Sequence, residues 1–90
     1  MTSERATKIE SILTSSFTPS RILVKDQSHL HAGHAGAQDG RGHFAVTIVS
    51  EQFTGQSKIA RHRMIFDALG DMMQTDIHAL SIKALTADEA

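Results

Sequence analysis

The first part of the chain has a helical pattern of apolar residues. Apolar side chains recur at three-to-four-residue spacing, at Ala6, Ile9, Ile12, Leu13 and Phe17. This spacing predicts an amphipathic helix with one buried face. Ser3 is a suitable N-cap, and Thr18-Pro19 ends the pattern because the residue before a proline disfavours helical geometry.

Three later segments have the pattern of strands. Residues 21–25, 43–49 and 77–85 are rich in β-branched and other apolar side chains, and the first two are separated by a long Gly-rich connection. The first two segments therefore predict a hairpin with a long loop. In the third segment, alternation puts four residues on one side of the strand: His78, Leu80, Ile82 and Ala84.

A second helix is predicted between the second and third strands. It starts after the N-cap candidate Ser57 and runs through Met73. Its apolar stripe consists of Ile59, Ile65, Phe66, Leu69 and Met73, with His62 inside the stripe. The element order is α-β-β-α-β, which predicts an α+β domain. If the second and third strands share an edge, they should be parallel, because a helix connects them.

Histidine is concentrated in the connection between the first two predicted strands. Three of the six histidines, His29, His31 and His34, lie there. A neutral imidazole binds metals and titrates near neutral pH, so the cluster indicates metal, iron–sulfur or proton chemistry. A connection of this length in a small domain is generally functional or disordered. Exposed histidines without a role fit the same pattern, as does adventitious capture of zinc or nickel.

The composition indicates one small domain over residues 1–90. With 9 basic and 10 acidic residues the net charge is −1, so nucleic-acid binding would need a local basic patch. The chain has no cysteine, which excludes disulfides, thiolate nucleophiles and cysteine-held clusters within it. We find no signal-peptide pattern and no membrane-helix window, so we expect a cytoplasmic protein that binds no membrane. We also recognise no catalytic arrangement of side chains and expect no enzymatic activity.

Six short motifs, in order along the chain, resemble the BolA family. They are Asp26-Gln27-Ser28-His29 with His31, His43-Phe44, Ile48-Val49-Ser50, Phe53-Thr54-Gly55, Arg61-His62-Arg63 and Ile77-His78-Ala79-Leu80. The resemblance covers nearly the whole chain, and the combination of the last three motifs is far more specific than any one of them. Gln27, in place of a frequent acidic residue, and Thr86-Ala87, in place of a frequent Thr-Pro, depart from the family pattern.

The resemblance implies a fold like the class II KH domain, with helices on one face of a three-stranded mixed sheet. It also implies partnership with a monothiol glutaredoxin, through a [2Fe-2S] cluster shared with that protein and glutathione. His78 occupies the place of the family's invariant histidine and His31 that of its loop ligand, with His34 a nearby alternative. From spacing alone, a histidine on an apolar strand face is more often structural than a ligand. Because this chain has no cysteine, the remaining cluster ligands would come from the partner.

The start of the second predicted helix carries a basic group. Lys58, Arg61 and Arg63 form a candidate nucleic-acid patch, with Lys83 as a candidate neighbour, although a basic first turn is also ordinary solvated surface. His62 is interpreted as structural. Residues 33–36 have the GxxG spacing of KH loops, but they lie between predicted strands rather than helices, which disfavours KH-type binding of single-stranded RNA.

The family resemblance, together with the histidines, implies an adaptor that binds a monothiol glutaredoxin and co-ligates a [2Fe-2S] cluster, in iron sensing or cluster trafficking. The alternative, which the family resemblance also implies, is a DNA-binding transcriptional regulator of stress response and cell morphology. We expect a monomer alone and a heterodimer with the partner. The sequence leaves the strand order and the choice of loop ligand open.

Overall fold

The helices and strands follow one another in the predicted order. The computed structural model describes residues 4–27 and 42–90. The elements are α1 (Glu4–Phe17), β1 (Arg21–Asp26), β2 (Gly42–Val49), a 3-10 turn (Glu51–Phe53), α2 (Lys58–Leu69), α3 (Met72–Thr75) and β3 (Ile77–Leu85). The α+β class and the three strands are confirmed. No helix within the described ranges is long and apolar enough to cross a membrane.

The strands form one mixed sheet with β2 in the middle. β1 pairs antiparallel with β2, from Arg21 opposite Val49 to Asp26 opposite Phe44. β3 pairs parallel with β2, as expected for two strands that a helix connects. The arrangement is compatible with the class II KH-like fold that the family resemblance implies.

The hydrophobic core lies between one face of the sheet and the helices. On β2 the side chains of Phe44, Val46 and Ile48 are at most 2% exposed. α1 contributes four buried residues at the predicted spacing, which are Ala6, Ile9, Leu13 and Phe17. The prediction for α1 is therefore confirmed for these residues as well as for the element.

Two of the motifs behind the family resemblance build the connection from β2 to α2. The Ser50 hydroxyl donates to the Phe17 carbonyl oxygen at 2.8 Å and accepts from the Gln52 amide at 3.2 Å, so it caps the 3-10 turn. Phe53 is fully buried, and its ring centroid lies 5.1 Å from that of Phe17. Gly55 has a φ of +77°, a geometry that glycine adopts without strain. These motifs therefore shape the core and the turn.

The second helix is shorter than predicted. It begins at the predicted N-cap, since the Ser57 hydroxyl accepts from the Ala60 amide at 3.1 Å. It ends at Leu69 rather than Met73, because Gly70 adopts a φ of +54° and turns the chain. The short helix α3 follows as a separate element.

The buried face of α2 also differs from the predicted stripe. Ile65 and Leu69 are buried, as predicted, but Ile59 is 69% exposed and Phe66 is 38% exposed. The helix turns the side that carries Arg61 toward the sheet, because that guanidinium hydrogen-bonds to the backbone at the end of β3. The stripe predicted from apolar residues alone is therefore rotated about the helix axis relative to the face of α2 that is buried.

Candidate functional site

His78, the predicted cluster ligand, lies at an irregularity in the sheet. It is the second residue of β3. Gly42 pairs with Ile77 and His43 pairs with Ala79, so β3 has one residue more than β2 between these pairs, and that residue is His78. Bulges of this kind break the alternation of side chains and are frequent beside functional sites. The side chain of His78 itself lies outside what the structure describes.

The connection between β1 and β2, residues 28–41, is named here the histidine segment. Its two flanking residues lie at the same end of the sheet. The Gln27 amide donates to the His43 carbonyl oxygen at 2.8 Å, and the Gly42 amide donates to the Asp76 carbonyl oxygen at 2.9 Å. Because β2 and β3 are parallel, this is the end at which β3 begins and to which the backbone of His78 belongs.

The predicted ligands His31 and His34 are in the histidine segment and lie outside the described residues, as does His29. Among the described side chains, which do not include that of His78, no three from His, Asp or Glu converge to hold a metal ion. His43 is a further imidazole at this sheet end and is half-buried. Sequence reasoning did not single it out, because it lies within a run of residues with the pattern of a strand.

The donor chemistry of the chain fits a shared cluster better than a self-contained one. With no cysteine in 90 residues, the chain can offer imidazole nitrogens but no thiolates. Histidines replace two cysteines on one iron of Rieske-type clusters, so a two-histidine contribution is chemically sound. The thiolates of such a cluster must then belong to another molecule.

Arg61, one of the three predicted phosphate contacts, makes four hydrogen bonds within the protein. Its Nε donates to the Gln56 carbonyl oxygen and its Nη1 to the Ala84 carbonyl oxygen, both at 3.0 Å. The guanidinium also donates to both carboxylate oxygens of Glu89, at 2.6 and 3.1 Å. Arg61 thereby joins the start of α2 to the end of β3 and to the C-terminal turn. A phosphate contact by this side chain would have to displace these partners.

Glu89 completes this contact from the C-terminal side. Its Oε1 accepts from the Thr86 amide at 2.8 Å, which is one half of a capping box, although residues 87–89 form a turn rather than a helix. The hydrogen bonds from Arg61 and from Thr86 lower the pKa of the Glu89 carboxyl to about 2.

We expect Glu89→Gln to destabilise the protein at neutral pH and to have little effect in strong acid. The pKa of Glu89 in the folded state lies below its ordinary value of 4.5, so the carboxylate stabilises the fold above that value. That contribution is lost as the pH falls toward about 2. Unfolding midpoints of the wild type and the variant should therefore differ near neutrality and converge in acid. The exposed α1 variant Glu10→Gln is the control, and equal midpoints for Glu89→Gln and wild type at neutral pH would contradict the prediction.

The other members of the predicted basic patch are on the surface. Lys58 and Arg63 are exposed. His62, which is not a member of the patch, is half-buried. Lys58 lines a cleft together with Arg61 and Glu89, so this part of the surface carries a carboxylate as well as two cations. Lys58 and Arg63 remain the available cations of the patch.

Comparisons with known proteins identify the class. The family model described as BolA-like protein matches residues 13–89. The DNA-binding transcriptional regulator BolA of Escherichia coli (strain K12) is 38% identical over 82 residues, 91% of this chain and 75% of that protein. SufE-like protein 1, chloroplastic/mitochondrial, of Arabidopsis thaliana is 41% identical over 90 residues, 94% of this chain and 24% of that protein.

The fold matches as well. The solved BolA domain of SufE1 from Arabidopsis thaliana has a TM-score of 0.88 and 38% sequence identity, with 100% of both chains covered. Fold and motifs thus define a small α+β domain of the BolA type. The chain belongs to the BolA family. It spans about a quarter of SufE-like protein 1 and just over half of protein BOLA1, chloroplastic, of the same plant.

Proposed function

We propose that the protein is an adaptor that partners a monothiol glutaredoxin and co-ligates a [2Fe-2S] cluster, in iron sensing or in iron–sulfur cluster trafficking. One observation supports this most: the pairing of β1 and of β3 with β2 puts Gln27 and Gly42, the residues that flank the histidine segment, at the sheet end that contains the backbone of His78. Residues far apart in the sequence thus meet at one edge of the molecule.

In this proposal the chain's own residues contribute imidazole nitrogens only. His78 and one histidine of the segment, His31 or His34, would bind one iron, and the cysteine of the glutaredoxin with its bound glutathione would supply thiolates. The bulge at His78 supports such a role, because a residue released from regular alternation can be aimed at the edge of the sheet. The protein would act in the cytoplasm, as a monomer alone and as a heterodimer with its partner.

The visible absorption spectrum tests this proposal. We expect the protein co-expressed with a monothiol glutaredoxin to give a complex whose spectrum differs from that of either protein alone, because two imidazoles replace two thiolates. The spectrum should be lost on acidification toward the unperturbed imidazole pKa of about 6.5, since a proton competes with iron for the neutral nitrogen. The glutaredoxin alone at each pH is the control. A mixture that shows only the sum of the separate spectra would contradict the proposal.

A second function is favoured by a different observation. The Escherichia coli relative is named a DNA-binding transcriptional regulator, and we propose DNA binding by this chain as the alternative function. The predicted contacts are Lys58, Arg61 and Arg63, of which Lys58 and Arg63 are exposed and Arg61 is engaged with Glu89. Binding through so few phosphate contacts should weaken steeply with salt, whereas the cluster complex should respond far less.

A further inference from the structure

One face of the sheet is covered by none of the described helices. The residues of β2 that point to the core are even-numbered, such as Phe44 and Val46, so the odd-numbered strand residues lie on the other face. We name this the open face. Its nine members are Arg21, Leu23 and Lys25 of β1, His43, Ala45 and Thr47 of β2, and Ala79, Ser81 and Lys83 of β3. Val49 and Leu85, at the ends of β2 and β3, are on the same side but are left out because they are buried and half-buried.

The charges of the open face all have one sign. Arg21, Lys25 and Lys83 are exposed, and the nine members include no Asp or Glu. None of the three cations has an ion pair or a side-chain hydrogen bond with any described residue. Charged side chains on edge strands, lysine especially, also prevent sheets from pairing with each other. In a chain of net charge −1, a face with cations alone is suited to an anionic ligand.

The three cations of the open face lie on the two outer strands, on either side of the central strand β2. Lys25, Ala45 and Ser81 form one row across the sheet, and Leu23, Thr47 and Lys83 form the next. The central positions carry small side chains, so a ligand backbone can approach closely. Arg21 and Lys25 are four residues apart on β1, roughly 13 Å, and β1 and β3 are two strand spacings apart, roughly 10 Å. These separations are similar to the ~12 Å width of the DNA major groove, which phosphates flank on both sides.

The chemistry of this face favours a duplex over a single strand. Single-stranded nucleic acids are usually held by aromatic side chains on which their bases stack. The open face contains no Phe, and the chain contains no Trp or Tyr. Contacts from Arg and Lys to phosphates need no exposed bases, and they hold a duplex without reading its sequence.

We propose that the open face binds the sugar–phosphate backbone of duplex DNA through Arg21, Lys25 and Lys83. This inference rests on the second proposed function, DNA binding, and assigns that function to the sheet instead of the start of α2. Arg61, held by Glu89 and by two backbone carbonyls, stays a structural residue.

Two triple variants with equal loss of charge test the assignment. The open-face variant is Arg21→Gln, Lys25→Gln, Lys83→Gln. The second variant, called the control variant, removes the same number of cations from the helices and tests the rival α2 patch, as Lys8→Gln, Lys58→Gln, Arg63→Gln. Binding to a short fluorescent duplex of mixed sequence is measured by anisotropy between about 50 and 200 mM salt. Unfolding midpoints verify that each variant is folded.

For three phosphate contacts we expect a wild-type slope of log K against log salt of about −2.7, at about −0.9 for each contact. The open-face variant should lose nearly all of this slope and roughly a hundredfold in affinity near 0.1 M salt. Each single open-face substitution should reduce the slope by about 0.9. The control variant should keep the wild-type slope.

Each contrary result points to a different error. If the open-face variant binds as the wild type does and the control variant loses binding, the open-face assignment is wrong and DNA binding belongs to the α2 patch. If the wild type binds no duplex, the second proposed function and this inference both fail, while the cluster proposal is unaffected. Tighter binding to a single strand or to anionic vesicles than to the duplex would also overturn the assignment.

Discussion

Replacing His78 with alanine is expected to abolish or reshape the visible absorption of the complex with a monothiol glutaredoxin. In the proposed site this imidazole binds iron directly, so its loss changes both the electronic structure and the retention of the cluster. Substitutions of residues that merely support metal ligands often cost about 10- to 100-fold in affinity or activity. We therefore expect the cluster to be lost at least about tenfold faster to a chelator, measured by the decay of absorption in purified complexes.

The fold should survive this substitution, because His78 lies near the start of an edge strand rather than within a run of paired residues. His62→Ala is the control, since this half-buried histidine of α2 belongs to no proposed ligand set. A His78→Ala complex with the wild-type spectrum and cluster lifetime would remove His78 from the site.

The same measurement distinguishes the histidines of the histidine segment. We expect His31→Ala to perturb the spectrum more than His29→Ala, because the family resemblance gives His31, and not His29, the place of the loop ligand. His34 can replace His31 in part. Equal spectra for all three single variants, with loss only in the triple variant, would show that the ligand from the segment is not unique.

Phe53→Ala is expected to lower the free energy of unfolding by about 3–5 kcal/mol. The Phe53 side chain is 0% exposed, and its ring packs on that of Phe17 at 5.1 Å and an interplanar angle of 36°. Truncation leaves a cavity between α1 and the 3-10 turn in addition to the lost burial. Because small domains have only about 5–15 kcal/mol of stability, the variant should unfold at much lower urea concentration.

Phe66→Ala is the matched control for this prediction. It removes the same side chain from the surface of α2, where Phe66 is 38% exposed, and we expect a loss below about 1 kcal/mol. Similar losses for Phe53→Ala and Phe66→Ala would contradict the view that the Phe53-Thr54-Gly55 motif is a core element. Both losses of stability are to be measured by urea unfolding followed by circular dichroism.

The fold could be predicted where the burial of apolar side chains alone determines the structure. In α1 the spacing of Ile9, Leu13 and Phe17 reports burial directly, and the strands were found because β-branched side chains alternate or cluster. The prediction of α2 was wrong where a polar interaction competed with apolar burial. The hydrogen bonds from Arg61 to Gln56 and Ala84 orient the helix, and no local periodicity records them.

The candidate site was predictable only in part, for a related reason. The family resemblance indicated His78, and the topology shows that its backbone shares a sheet end with the residues that flank the histidine segment. By contrast, Arg61 was grouped with Lys58 and Arg63 from charge and helical spacing. Its partner Glu89 is 28 residues away in the sequence, so only the folded chain distinguishes a structural arginine from one available to a ligand. The open face was not predicted, because its cations come from two strands that are distant in the sequence. Lys83 was considered only as a neighbour of the α2 patch.

The parallel pairing of β2 with β3 also makes ligand binding at this sheet end depend on folding. β3 joins the sheet through β2 alone, so the meeting of Gly42 with Ile77 exists only in the native chain. A ligand that bridges the histidine segment and His78 therefore binds the native state and not the unfolded one. By mass action, such a ligand makes unfolding harder as its concentration rises. Conversely, unfolding of β3 would release a ligand held in this way, so the unfolding rate of the chain sets an upper limit on how long such a ligand stays bound.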